Sequence, residues 1–148
     1  MNGWLALGAF VIGFLTAQIW KLITGAWNDR GRTEKRTLGT WIGYFMRSGG
    51  MPSGHSASFT ALAVYLGCWQ GFDSGVFALA VGTWIIILYD AVHVRYAVGE
   101  QGKALNGLLK KNGEAELPIV EGHTVPQVAV GVLIGVIVGV GVAILSGF

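Results

Sequence analysis

Four long apolar runs decide what this chain can fold into. The first extends from Gly3 to Trp27 and carries no strongly polar side chain but Gln18 and Lys21. At 1.5 Å per residue it reaches roughly 37 Å, enough to cross a ~30 Å hydrocarbon core with some tilt. It lacks a preceding basic region and is too long for a cleaved leader, so it is expected to remain as a span. The second run starts at about His55 and ends at Trp69, the third goes from Gly75 to about Tyr96, and the fourth from Thr124 to Phe148. Charged residues make up 12% of the chain, against about one quarter in a soluble domain. Backbone polar groups in hydrocarbon must be satisfied within the segment, which selects helices. The expectation is an all-α integral membrane protein: one domain over 1–148, a bundle of about four transmembrane helices and one or two short interfacial helices.

The connections divide by charge. Asn28 to Arg36 is a charged loop, and Leu38 to Met46 is apolar but too short to span. Leu38, Trp41, Ile42 and Phe45 follow a helical i, i+3, i+4, i+7 pattern, which suggests an interfacial or re-entrant helix. Gln70 to Ser74 reads as a turn, Ala97 to Lys111 as a surface helix on the headgroups, and Asn112 to Gly122 as an acidic loop. Four spans put the termini and the 70–74 turn on one face, where Asp73 is the only charge. All ten Lys and Arg residues belong to the other face. The positive-inside rule therefore predicts that loops 28–54 and 97–123 are cytoplasmic. Nothing in this pattern calls for a nucleic-acid partner. Cys68, the single cysteine, lies in an apolar run and reads as a small packing residue. Gly131, Gly135 and Gly139 recur every fourth residue in the last run. That stripe suits close helix packing, either within the subunit or in a homodimer.

Between the first two spans lies Gly49-Gly50-Met51-Pro52-Ser53-Gly54-His55-Ser56-Ala57-Ser58. Pro52 suits the entry to a helix and Ser53 suits its N-cap. Free N–H groups, hydroxyls and one imidazole then converge at a helix N-terminus, which favours an anion. A tight turn with His55 as a polar cap would explain the same residues. The remaining polar residues change the balance. Lys21 falls at the inner end of span one, Asp90, His93 and Arg95 near the inner end of span three, and Glu121 to Thr124 at the inner start of span four. Ionisable groups at membrane depth are costly and usually functional. Two helix N-termini, two cations and up to three imidazoles at one depth suit an oxyanion, and phosphate is the natural candidate. By the 3.6-residue period Asp90 and His93 share a face, while Arg95 lies about 140° from Asp90, so the three do not converge in a regular α-helix.

The Pro52-Ser53-Gly54-His55 tetrapeptide resembles a motif of the type 2 phosphatidic acid phosphatase and vanadium haloperoxidase superfamily. The chain is similar to the small divergent branch of that superfamily in Ala17 to Lys21, Gly49 to Ala57, Tyr89-Asp90-Ala91, Val94-Arg95, Gly99-Glu100-Gln101, Leu105-Asn106, Gly122-His123 and Gln127-Val128. The resemblance implies metal-independent hydrolysis of a phosphate ester through a phosphohistidine. Carried over, His55 is the general acid and His123 the nucleophile. Ser53 and Gly54 form the phosphate-contacting turn, and Lys21 and Arg95 supply the cations.

The chain also departs from the superfamily. It has no K-x6-R-P run, and Arg95 and His123 stand 28 apart. Gln127 occupies the place of an acid four residues after the nucleophile, which leaves Asp90 to supply that carboxylate. His93 and Tyr96 replace the usual glycine and second basic residue of the small branch. His93 is then a site residue, a partner for Asp90 or a headgroup contact.

The expected function is a cytoplasm-facing phosphatase acting on a lipid or prenyl mono- or diphosphate among membrane lipids, with a homodimer completing the wall of a small bundle. A phosphate- or headgroup-binding protein that has lost turnover is the second reading, favoured by Gln127. A transporter or scramblase subunit ranks third, because the outer halves of the spans are apolar.

Overall fold

The computed structural model describes residues 3–28, 37–39, 42–43, 50–119 and 122–148. The elements are helices: α1 (Gly3–Asn28), α2 (Gly54–Gln70), α3 (Gly75–Tyr89), a π turn (Asp90–Val94), α4 (Arg95–Lys111) and α5 (Val125–Leu145). Most of the charged loop read at 28–36, most of the interfacial helix read at 38–46, and Glu121 lie outside the described residues. Residues 38–39 and 42–43 are helical and exposed.

Among the described residues, three stretches are long and apolar enough to cross a membrane: Gly3–Thr24, Gly75–Lys111 and Val125–Leu145. The second is one continuous helical run of 37 residues. The surface helix read at 97–111 falls within α4, which the π turn joins to α3 without a break. The fourth helix of the bundle, α2, has 17 residues, about 25 Å, shorter than a typical span. It is also the helix on which the others assemble, since α1, α3 and α5 all pack against it.

Small residues permit this arrangement. Lipid offers helices little hydrophobic drive to associate, so close backbone approach and van der Waals contact hold them. A Cβ on Gly131 would stand 2.6 Å from the Ser53 carbonyl oxygen, one on Gly135 2.5 Å from that of Ala57, and one on Gly139 2.7 Å from that of Ala61. The glycine stripe of α5 is thus used within the subunit, against α2, and is not free for a dimer. Gly13 does the same from α1, where a Cβ would lie 2.9 Å from the Ala57 carbonyl. Ala6, Ala9 and Ala17 continue that face of α1 and are buried.

Polar ties add to the packing. The Trp84 indole N–H donates to Thr60 Oγ1 at 2.7 Å, and the Thr60 hydroxyl donates to the Ser56 carbonyl at 2.6 Å. The first of these joins two helices, and interhelical bonds of this kind contribute about 0.6 kcal/mol on average in membranes. At the other end of the α2–α3 pair, Phe72 and Phe77 meet edge to face at 5.1 Å and cover Gly67, where a Cβ would lie 2.5 Å from the Phe72 ring. α4 runs beyond the bundle and is braced by the returning chain. Asn106 bonds both the N–H and the carbonyl of Leu117 at 2.8 Å, and the Glu114 N–H donates to the Leu109 carbonyl at 2.9 Å. This clasp brings residues 122–124 back to the bundle.

Candidate active site

The turn before α2 is built by Ser53. Its side chain accepts the Ser56 hydroxyl at 2.8 Å and caps the Ser56 amide, and its own N–H donates to the Gln127 carbonyl at 3.1 Å. Ser53 and Pro52 are fully buried. These bonds shape the turn that the sequence resemblance assigns to phosphate contact. The Ala57 amide bonds back to the Ser53 carbonyl. The Gly54 and His55 amides are the first-turn donors that the cap does not use. Gly54 is buried against Phe14, and the His55 side chain is exposed.

Arg95 comes to Asp90 through a change of helical pitch. In the turn Asp90–Val94 the Arg95 N–H bonds the Asp90 carbonyl, five residues back. A residue five along then lies one turn above its partner rather than about 140° around the helix. The Arg95 Nε–H accordingly donates to Asp90 Oδ2 at 2.6 Å. The divergence expected from the regular period is removed by one wide turn. His93, on the same turn, stacks on the Tyr89 ring with centroids 4.4 Å apart.

The wide turn also positions His123. A bulge in the i→i+4 ladder leaves a carbonyl for an outside donor, and the His123 N–H donates to the Ala91 carbonyl at 3.1 Å. The chain can pass this close only because Gly122 has no side chain; a Cβ there would overlap the Arg95–Tyr96 backbone. Thr124 and Gln127 then start α5, with Gln127 Oε1 accepting the Thr124 N–H at 2.9 Å. Gln127 therefore caps a helix and does not orient the histidine. The carboxylate of Asp90, expected beside His123, is bonded to Arg95.

The His123 side chain is 7% exposed, and both of its ring nitrogens are buried without a hydrogen-bond partner. An unpaired buried polar group costs about 1–3 kcal/mol and calls for an explanation. Burial pushes the imidazole pKa down to about 4, and the positive charges of Lys21, His55 and Arg95 act in the same direction. His55 in turn feels Arg95, Lys21 and Asp90. Lys21, His55, Asp90, Arg95 and His123 thus form one electrostatic cluster drawn from four separate stretches of chain. A cleft of about 130 Å³ flanks it, lined among others by Tyr96, Lys103, Gly122, Thr124 and Gln127.

Two contributors escaped the sequence reading: the Ala91 carbonyl and the packing role of Gly122. No residue type signals a π turn, but Gly122 beside a candidate nucleophile was a readable sign of close backbone approach.

A neutral buried imidazole, a second imidazole at a helix N-terminus and two cations can bind a tetrahedral oxyanion and exchange a group with it. Among curated proteins, the uncharacterized membrane protein YuiD of Bacillus subtilis (strain 168) is 42% identical over 62 residues. The match covers 42% of this chain and 39% of YuiD, so it spans about two-fifths of that relative's length. No solved structure matches. The sequence profile described as the Divergent PAP2 family matches residues 3–138, and this integral membrane protein belongs to that family.

Proposed function

We propose that the protein hydrolyses a lipid or prenyl mono- or diphosphate through a phosphohistidine at the cytoplasmic face. The observation that carries this reading is His123, a buried neutral imidazole with both nitrogens unpartnered amid Lys21, His55 and Arg95. A neutral ring keeps a lone pair for phosphorus at pH 7. The surrounding cations attract the dianion and stabilise the charge of the transition state.

In the first half-reaction a His123 nitrogen bonds phosphorus as the phosphorus–alcohol bond breaks. Its electron pair leaves with the oxygen, which takes a proton from cationic His55. In the second, His55 removes a proton from water, the water oxygen bonds phosphorus, and the phosphorus–nitrogen bond breaks to free inorganic phosphate. Arg95, held by Asp90, Lys21 and the Gly54 and His55 amides would hold the phosphoryl oxygens throughout. No step requires a metal.

One observation favours the alternative of binding without turnover. Asp90 is occupied by Arg95 and Gln127 by Thr124, so neither orients His123 as a partner carboxylate would. The two readings separate on phosphate release from detergent-purified protein, measured across lipid and prenyl phosphates with EDTA present. Release that is lost in His55→Ala and His123→Ala supports hydrolysis. Vanadate or phosphate binding with no release supports the binding protein. A homodimer remains part of the reading, through a surface other than the α5 glycine stripe.

A further inference from the structure

An apolar groove of about 200 Å³ runs between α2 and α3, lined chiefly by Phe59, Leu62 and Leu66 on one side and Val76, Leu79 and Thr83 on the other. Its walls are fixed. Trp84 bonds Thr60 at one end, and Phe72 and Phe77 pack on Gly67 at the other. The Phe59 ring is held edge-on by Phe10, with centroids 5.1 Å apart. The one polar lining residue, Thr83, gives its hydroxyl to the Leu79 carbonyl at 3.0 Å, so the groove presents hydrocarbon.

The groove is in line with the polar cluster on both helices that form it. On α2, Phe59, Leu62 and Leu66 follow His55 at i+4, i+7 and i+11, within about 40° of one line. On α3, Thr83 and Val76 precede Asp90 by 7 and 14 residues, again within about 40°. From Phe59 to Leu66 the track rises roughly 10 Å into the bilayer. It begins one turn from His55, the residue assigned to protonate the leaving oxygen.

From this alignment we infer that the α2–α3 groove seats one hydrocarbon chain of a phosphorylated long-chain alcohol whose phosphate occupies the cluster. The inference rests on the phosphatase reading for the phosphate and adds the path of the leaving alcohol, from His55 along Phe59 to Leu66. A chain leaving the bilayer for this groove gains little hydrophobic energy, since both surroundings are hydrocarbon. The groove therefore acts by alignment, holding the ester oxygen at His55.

The test uses the full chain in phosphatidylcholine vesicles. A long-chain alkyl phosphate bearing a photoreactive diazirine near mid-chain is expected to label peptides containing Phe59 to Leu66 or Val76 to Thr83. Excess unlabelled alkyl phosphate should suppress that labelling at least fivefold, and excess long-chain alcohol should not. Equal labelling by a diazirine phosphatidylcholine, unaffected by alkyl phosphate, means ordinary bilayer chains fill the groove and overturns the inference. In parallel, Leu62→Trp and Leu79→Trp fill the groove. They are expected to lower kcat/KM for a long-chain phosphate about tenfold while leaving a butyl phosphate unchanged. Equal turnover of long and short esters in both variants overturns the groove while leaving the phosphatase reading intact. Selective labelling without any turnover removes the phosphatase reading and sustains the groove as the chain site of a phospholipid-binding protein.

Discussion

Burial and nearby positive charge push the pKa of His123 down, and the consequence for stability has a definite sign. Its folded pKa, about 4, lies below the ordinary 6.5. Above pH 6.5 neither the folded nor the unfolded ring is protonated, and the shift has no effect. As pH falls from 6.5 to 4 the unfolded chain takes up a proton that the folded chain refuses, so stability declines by about 3 kcal/mol. Thermal unfolding in detergent across that window should show the loss in the wild type and little of it in His123→Asn. A bound phosphate dianion, which favours the protonated ring, should reduce the loss. Asp90 gives a second expectation at this scale. Its pair with Arg95 is half exposed, so it contributes at most about 1 kcal/mol to stability. Asp90→Asn should barely move the melting temperature, yet lower phosphate release about tenfold or more by freeing Arg95; an unchanged rate would show that Arg95 needs no such hold. His55, Lys21 and Arg95 were legible in the sequence because charge at membrane depth stands out against apolar runs. The bonding of Asp90 was not, because it depends on a pitch change that no residue type announces.

At the scale of elements, two features can be tested by changing one residue each. The first is the α2–α5 contact. Gly135→Ala would put a Cβ 2.5 Å from the Ala57 carbonyl, which must drive the helices apart. Overpacking of this kind costs about 1–3 kcal/mol, read as a lowered melting temperature. Gly141 is in the same helix, with nothing within 4 Å of its Cβ position. Gly141→Ala should be neutral or stabilise by about 0.5–1 kcal/mol. If both substitutions behave alike, the stripe is not the packing surface described. The second feature is the π turn. Deleting Val92 restores an unbroken α-ladder, rotates Arg95 away from Asp90 and removes the carbonyl offered to His123. Helical content should persist while phosphate release falls to the level of His123→Ala. The Gly131, Gly135 and Gly139 spacing was legible as a packing stripe, but its partner was not, because small-residue spacing fits an intramolecular and an intermolecular neighbour equally well. The unbroken join between α3 and α4 was not legible, because hydropathy falls at Ala97 although the helical hydrogen bonding does not stop there.

At the scale of the molecule, four helices bring Lys21, His55, Asp90, Arg95 and His123 to one end, while the turn at 71–74 carries Asp73 at the other. The charge asymmetry legible along the chain thus coincides with the end of the bundle that carries the polar cluster. Its orientation is testable in cells on a Cys68→Ser background. Asp73→Cys should react with an impermeant maleimide from outside, and Glu114→Cys only after permeabilisation; the reverse pattern would place the cluster on the outer face. The central claim is that this end of the bundle turns over a phosphate ester at His123. The most direct measurement is the phosphoenzyme itself: brief exposure of purified protein to a ³²P-labelled lipid or prenyl phosphate in EDTA, followed by an alkaline quench. Radiolabel is expected on the peptide carrying His123, stable to alkali and lost in acid, absent from His123→Ala and chased by water to free phosphate. Phosphate release from the wild type with no label on that peptide, or release persisting in His123→Ala, would contradict that claim.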